Sequence, residues 1–365
     1  MKKVLTDVSF YDKIVLSTKY RKNKRWIMKF IYFLMALVIA ITCVGCNNAT
    51  ENPTGVVKPS IAETTKQETE TTRPSEDTSE NQIDENQDVV QPEIDFISVG
   101  ELEYVNKELK IYGNVDKELA AELEKILKDY NKNISVAAYS LDGEKALVYN
   151  SNQTYFSACT IKMPIMLYCC KQIDEGKIDK DTILTYEERH YHGGSGSIRY
   201  NAFGSKYSIE TLITLGLSIS DNVAYEMIVE YLGHDGFNAM MKELGCTSTI
   251  VPNWSIWASK AQVNDFIKIW REVYEYFETG SIGAEILKNA CTNTKFAYGV
   301  KALDVDYSHK SGDNFPPNAV HNDAGIIWTG NDYLFAIFTN SEGNSYDNKV
   351  IGNTAKKIYE IMNVR

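Results

Sequence analysis

The stretch Phe156-Ser157-Ala158-Cys159-Thr160-Ile161-Lys162-Met163-Pro164 follows a polar turn and opens a long apolar helix running through Leu167 to about Gln172. Cys159 and Lys162 stand three positions apart, a spacing that on a helix sets both side chains on one face and within reach of each other. Backbone N–H groups at the start of a helix point toward Cys159 and favour its thiolate, and a neighbouring ammonium adds to that effect. A nucleophile with a base beside it is one reading. A small buried hydrophobe next to a solvated lysine is the other. What lies downstream decides between them.

Ser220-Asp221-Asn222 falls between two apolar helical segments, and Lys310-Ser311-Gly312 closes a short strand-like run, Asp306 to His309. Each tripeptide alone has an ordinary use: Ser220 and Asp221 suit a helix N-cap, and Lys-Ser-Gly suits a turn. In this order and context they resemble the S-x-x-K, S-D-N and K-T-G set of class A β-lactamases and penicillin-binding proteins, from about Asp116 to the end of the chain. The resemblance implies an α+β fold of the β-lactamase/transpeptidase type, an antiparallel sheet flanked by helices plus an all-helical subdomain, with the site at their junction. It assigns Cys159 to the nucleophile and Lys162 to the base that takes its proton. Ser220 would relay a proton to the leaving nitrogen, and Asn222 would hold Lys162 and the substrate amide. Lys310 and Ser311 would bind a substrate carboxylate. The N–H groups of Cys159 and Asp313 would hold the oxyanion, and Gly312 would let the strand approach closely.

Two departures from that pattern carry chemical weight. The family's serine is Cys159 here; a thiolate is intrinsically nucleophilic and a thioester hydrolyses more readily than an ester, so acyl transfer stays available. Class A β-lactamases also carry a glutamate and an asparagine on a loop that activates the hydrolytic water. The corresponding stretch, Gly245 to Gln262, contains no Asp or Glu. The expectation is therefore a slow acyl-enzyme on β-lactam or D-Ala-D-Ala-type amides. The alternative is an impaired relative that binds peptidoglycan peptides or β-lactams without turnover.

Outward from the motifs, Met1 to Lys29 is rich in Lys and Arg, and an apolar run from Phe30 to Val44 ends at Gly45-Cys46. That reads as a secretory signal of lipoprotein type with Cys46 as the lipid-modified residue, or as an uncleaved anchor. Residues 47–95 contain no aromatic side chain and carry 12 acidic residues against three basic ones, a net charge of −9. Such a composition reads as a solvated linker with a reach on the order of 40 Å. Residues 96–365 are long enough for one catalytic domain with a substantial core. The chain's net charge of −11 and its lack of basic clusters in the domain argue against a nucleic-acid partner. A monomeric domain on the outer membrane face is expected, with no cofactor and no metal.

Periodicity predicts a helix over Asp116 to Tyr130, a hairpin of Ile134 to Leu141 with Lys145 to Tyr149, and helices from Cys159 to about Phe277. Strands follow at Asp306 to His309, Ala319 to Trp328 and Tyr333 to Thr339, then a helix from about Asn348 to Met362. His190 and His192 lack a ligand cluster and read as surface-loop residues rather than a metal pair. Cys169 and Cys170 read as core, and Cys246 and Cys291 as a possible disulfide. Trp254 and Trp257 read as loop anchors packed on the core, or as walls of the cleft. The Gly193-Gly194-Ser195-Gly196 loop lacks the context of a phosphate cradle and resembles the small-residue loop bordering the family's cleft.

Overall fold

The computed structural model describes residues 102–105, 108–253, 255–292 and 294–364. The signal with Cys46, the linker and Trp254 lie outside the described residues. In chain order the elements are β1 (Leu102–Val105), β2 (Leu109–Tyr112), α1 (Lys117–Asp129), β3 (Ile134–Ser140), β4 (Ala146–Tyr149), β5 (Tyr155–Phe156) and α2 (Lys162–Asp174). Then come β6 (Ile183–Thr185), β7 (Lys206–Ser208), α3 (Ile209–Ser218), α4 (Asn222–Leu232), α5 (Asp235–Glu243), β8 (Lys260–Ala261), α6 (Val263–Glu278) and α7 (Ile282–Thr292). The chain closes with β9 (Asp306–Asn314), β10 (Val320–Trp328), β11 (Tyr333–Thr339) and α8 (Ser345–Asn363).

Seven strands form one antiparallel sheet in the order β1-β2-β4-β3-β11-β10-β9. Its two central strands are buried along their whole length, which is why they are mostly apolar on both faces rather than alternating polar and apolar. Alternate residues still part company. Val136 and Ala138 of β3 with Phe335 and Ile337 of β11 meet α1 and α8, whereas Ala137, Tyr139, Ala336 and Phe338 join the core shared with α2 to α7. The α+β sandwich expected from the sequence is what the chain forms.

Helix α1 starts where Asp116 caps it, accepting the N–H groups of Glu118 at 2.8 Å and Leu119 at 3.3 Å. It lays Ala120, Leu123 and Leu127 against the sheet beside α8. Helix α2 is different, because Met163, Ile165, Met166, Leu167, Cys169 and Cys170 are all buried. A helix apolar on nearly every side belongs in the middle of a bundle, and α2 is the spine of the helical lobe, packed on α3, α4 and α7. Pro164 fits within its first turn, where backbone N–H groups have no intrahelical partner.

Two boundaries differ from the sequence reading. The strand expected to stop at His309 continues through Asn314, so Lys310-Ser311-Gly312 lies inside β9. Gly, Ser and Asp are poor strand formers, but pairing with β10 from Asn314↔Val320 to Asp306↔Trp328 holds them extended. The last helix begins at Ser345 rather than Asn348, because Asn344 accepts the N–H groups of Tyr346 and Asp347. The short strands β1 and β2 were not expected at all.

The edge of the sheet that faces the helical lobe is stiffened by one buried His–Asp hydrogen bond. His309 Nδ1 lies 2.7 Å from Asp323 Oδ1 and both side chains are fully buried. The other oxygen of Asp323 accepts the N–H groups of Tyr298 at 3.1 Å and Gly299 at 3.0 Å. Removing one member of such a pair strands the other in the core. Asp323→Ala is expected to lower the unfolding free energy by about 3–5 kcal/mol in urea titrations of the purified protein; a loss under about 1 kcal/mol would contradict that role.

Candidate active site

Residues 158–161 make a single 3-10 turn and α2 begins at Lys162, so the helix expected from Cys159 starts one turn later. Ala158 sits at φ +47°, a left-handed conformation that costs a non-glycine residue roughly 1–3 kcal/mol. The surroundings hold it there. Ser157 N–H donates to the Ser259 carbonyl at 3.0 Å, Asn322 Nδ2 donates to the Phe156 carbonyl at 3.0 Å, and Thr160 Oγ1 donates to the Ser157 carbonyl at 2.5 Å. Strand β9 presses against this turn: a methyl group at Gly312 would sit 2.7 Å from the backbone nitrogens of Cys159 and Thr160. Only glycine permits that approach.

Around the turn the side chains converge. Lys162 Nζ donates to the Ser220 carbonyl and to Asn222 Oδ1, both at 2.6 Å, and lies 3.3 Å from Ser220 Oγ. Cys159 Sγ is 3.8 Å from the same Asn222 oxygen. From the opposite wall, Lys310 Nζ donates to Ser220 Oγ at 3.0 Å and to the Ser311 carbonyl at 2.6 Å. Cys159, Lys162, Ser220, Asn222 and Lys310 thus form one connected cluster between the helical lobe and β9. Ser220 is at φ +57°, a second strained residue. It is not the helix cap: Asp221 is, accepting Ala224 N–H at 3.1 Å while its other oxygen takes the N–H groups of Ser197 at 2.6 Å and Ile198 at 2.9 Å.

The charges decide what the cluster can do. Burial alone would push the Cys159 thiol up, but the ammonium groups of Lys162 and Lys310 and a hydrogen bond from Ser220 outweigh it, and the thiol titrates below its ordinary value. Burial also pulls Lys162 down, opposed by the Cys159 thiolate, and brings Lys310 down to about 8. A lysine with a depressed pKa can exist as the free amine near neutrality and accept a proton. The remaining cysteines contrast with this: burial pushes Cys169, Cys246 and Cys291 up to about 12. Cys246 and Cys291 are both free thiols, so the possible disulfide does not form.

The loops of the lobe close the cleft. In the Gly193–Gly196 loop, Gly194 and Gly196 adopt φ of +85° and +110°, and a methyl group on Gly196 would collide with Asp221. Ser195 Oγ donates to the Ser220 carbonyl at 2.9 Å, and Asn222 Nδ2 donates to the Gly193 carbonyl at 2.6 Å. The loop over residues 245–262 is organised by the buried carboxylate of Asp265, which takes N–H groups from Thr247, Ser248 and Thr249. Trp257 from that loop packs on the core and also walls the cleft, with Lys162 Nζ 5.7 Å from the ring centroid and the His192 ring 4.4 Å away. His190 is buried rather than a surface residue. It bridges Glu230 at 3.0 Å and the Glu187 N–H at 3.0 Å. Among the described residues no cluster of His, Cys, Asp and Glu has the makings of a metal site.

Two side chains of β9 are engaged by the segment over residues 296–298. Ser311 Oγ donates to the Phe296 carbonyl at 2.8 Å, and the exposed Asp313 carboxylate accepts the Tyr298 hydroxyl at 2.5 Å. His192, Ser195, Trp257 and Tyr298 were not foreseen as a group around the motifs. Their spacing in the chain gives no signal, because they come from three separate loops, His192 and Ser195 sharing one.

Known proteins resemble this chain in sequence and in fold. The model of the beta-lactamase enzyme family matches residues 118–362, well over half of the chain's 365 residues. Beta-lactamase VEB-1 of Pseudomonas aeruginosa is 22% identical over 279 residues, 67% of this chain and 91% of that protein. Among solved structures, PBP-A aligns at a TM-score of 0.61 with 22% identity, over 68% of this chain and 97% of that one. A mutant of PBP-A in an acyl-enzyme complex with penicillin G aligns at 0.60 with 22% identity, over 67% and 96%. The TLA-1 extended-spectrum β-lactamase aligns at 0.60 with 20% identity, over 68% and 99%. At these identities the structural likenesses speak to the fold.

At neutral pH, iodoacetamide is expected to label Cys159 before Cys169, Cys246 and Cys291, read by peptide mapping. Because the reactive thiolate of a depressed thiol persists toward lower pH, Lys162→Met, which removes one positive charge, should move the rise of the Cys159 rate to higher pH; an unmoved profile would deny the coupling. Gly312→Ala is expected to cost about 1–3 kcal/mol in thermal unfolding through the clash with the nucleophile turn, and a neutral substitution would contradict the close approach.

Proposed function

The chain belongs to the beta-lactamase enzyme family, and we propose that it acts by acyl transfer to Cys159 on β-lactam or D-Ala-D-Ala-type amides, with slow hydrolysis of the resulting thioester. The observation that carries the proposal is the shared oxygen of Asn222, 2.6 Å from Lys162 Nζ and 3.8 Å from Cys159 Sγ. In the first step the thiol proton passes to the Lys162 amine and sulfur attacks the amide carbonyl carbon. The C–S bond forms, and negative charge develops on the carbonyl oxygen, toward the N–H groups of Cys159 and Asp313. In the second, the C–N bond breaks and the leaving nitrogen takes a proton through Ser220 Oγ. That hydroxyl accepts from Lys310 and lies beside Lys162, so its own hydrogen remains available to donate. The relay returns the Lys162 proton to the departing nitrogen, and atoms and charge balance.

Deacylation is the weak step in this reading. The loop over residues 245–262 supplies no carboxylate to activate water, and Glu226 on α4 has one carboxylate oxygen engaged by the Trp257 indole N–H. The acyl-enzyme complex of the PBP-A mutant with penicillin G supports the covalent half of the proposal. The missing loop carboxylate favours a second reading, a binding protein that recognises β-lactams or peptidoglycan peptides without turnover. In both readings the domain works outside the membrane, tethered through Cys46, an assignment supported by the sequence alone.

Intact-mass spectrometry after incubation with penicillin G tests the proposal. A long-lived adduct on the parent protein that is absent from Cys159→Ala is expected. An adduct on Cys159→Ser but none on the parent would put the binding-protein reading in front. Separately, labelling of the protein in cells by a fatty-acid analogue is expected to be lost in Cys46→Ala; retained label would remove that cysteine as the anchor.

A further inference from the structure

Hydrolysis of an acyl-enzyme needs a base within reach of water, and the surroundings of Lys162 decide whether its amine can serve. Two donors of Nζ are taken at 2.6 Å by the Ser220 carbonyl and by Asn222 Oδ1, and Ser220 Oγ lies 3.3 Å away. A further side is covered by Trp257, whose ring centroid is 5.7 Å from Nζ. A water bonded to the amine at about 2.9 Å and touching the ring face at about 3.5 Å needs more room than that. The indole therefore closes the amine off, and Lys162 is 0% exposed.

Trp257 is firmly placed for this. Its indole N–H donates to the Glu226 carboxylate on α4, and the rings of His192 and Tyr225 pack on it with centroids 4.4 and 4.5 Å away. The Tyr225 hydroxyl donates to the carbonyl of the preceding residue, Ile256, at 2.8 Å, and the Trp257 backbone N–H donates to Ser255 Oγ at 3.2 Å. A loop without a single Asp or Glu thus brings an apolar ring, and no carboxylate, up to the base of the cluster.

We infer that Trp257 sets the lifetime of the acyl-enzyme, its indole occupying the ground that a hydrolytic water would take beside Lys162. The inference rests on the acyl-transfer reading and deepens it: besides lacking a loop carboxylate, the site screens the base it does have. In hydrolysis the water oxygen bonds to the thioester carbonyl carbon while one water proton passes to the Lys162 amine. The C–S bond then breaks, and the sulfur takes that proton back from Lys162. No water can begin this step from the indole side while the ring lies there. Shortening the side chain opens a space bordered by the Lys162 amine and by the Glu226 carboxylate freed from the indole, polar partners of the kind a buried water needs.

The test follows the appearance and the decay of the penicillin G adduct by intact mass on the whole protein. The parent is compared with Trp257→Phe, Trp257→Leu and Trp257→Ala, each checked by thermal unfolding. General-base help is worth about a hundredfold or more, so its partial recovery is expected to speed adduct decay at least about tenfold in Trp257→Ala. Trp257→Leu should fall between that and the parent, and Trp257→Phe, which keeps an aromatic wall, should restore most of the parent's lifetime. The decay rate should change more than the acylation rate does. An adduct as long-lived in folded Trp257→Ala as in the parent overturns the inference and leaves acyl transfer standing. Equal decay in Trp257→Phe and Trp257→Ala also overturns it, because the aromatic wall would then be immaterial. If Trp257→Ala does not fold, the decay in Trp257→Leu decides by the same criterion. Absence of any adduct on the parent overturns the acyl-transfer reading, and the role of Trp257 with it.

Discussion

A lysine ammonium buried at the foot of an apolar helix governs this molecule. Lys162 is fully buried, and it donates to dipoles rather than to a carboxylate: the Ser220 carbonyl, the Ser220 hydroxyl and the Asn222 amide oxygen. Taking a charge out of water costs several kcal/mol unless fixed dipoles replace the hydration. The turn that supplies those dipoles is strained at Ser220 and is pinned in place by Ser195 and by the Asp221 carboxylate. Sequence, local strain and packing in the helical lobe are thus tied to a single amine, and the same burial that is costly for stability pulls its pKa down from the ordinary lysine value.

The other half of the site is a matter of approach. Strand β9 is an edge strand, and its exposed side faces the nucleophile turn instead of water. The ladder to β10 and the His309–Asp323 pair hold it there, and Gly312 removes the side chain that would keep the two backbones apart. Lys310 then reaches across to Ser220, so that two cations flank one thiol. Their combined field outweighs the desolvation of sulfur. Asp313 opposes them, which makes the field at Cys159 a balance between two buried positive charges and one exposed negative charge.

Much of this was legible from residue order. The three motifs, the central strands and the spine helix all follow from patterns with a local physical cause. Where the reading fell short, tertiary forces had overridden local preference. Ladder pairing carries β9 through Ser311, Gly312 and Asp313, which by propensity end a strand. The left-handed Ala158 delays α2 by a turn because neighbouring loops hold it. His190 is buried with a hydrogen bond to Glu230 that no local pattern announces. The engagement of Ser311 by Phe296, and of Asp313 by Tyr298, depends on a segment that reaches the strand only in the folded chain.

The central claim is that this arrangement turns a buried-looking cysteine into a poised nucleophile. Its most direct measurement is the ultraviolet thiolate titration of Cys159, taken as the difference between the parent protein and Cys159→Ala. The account predicts a midpoint below the ordinary thiol value of about 8.5. A midpoint at or above that value would mean that burial prevails over Lys162 and Lys310, and that the cluster does not activate the thiol.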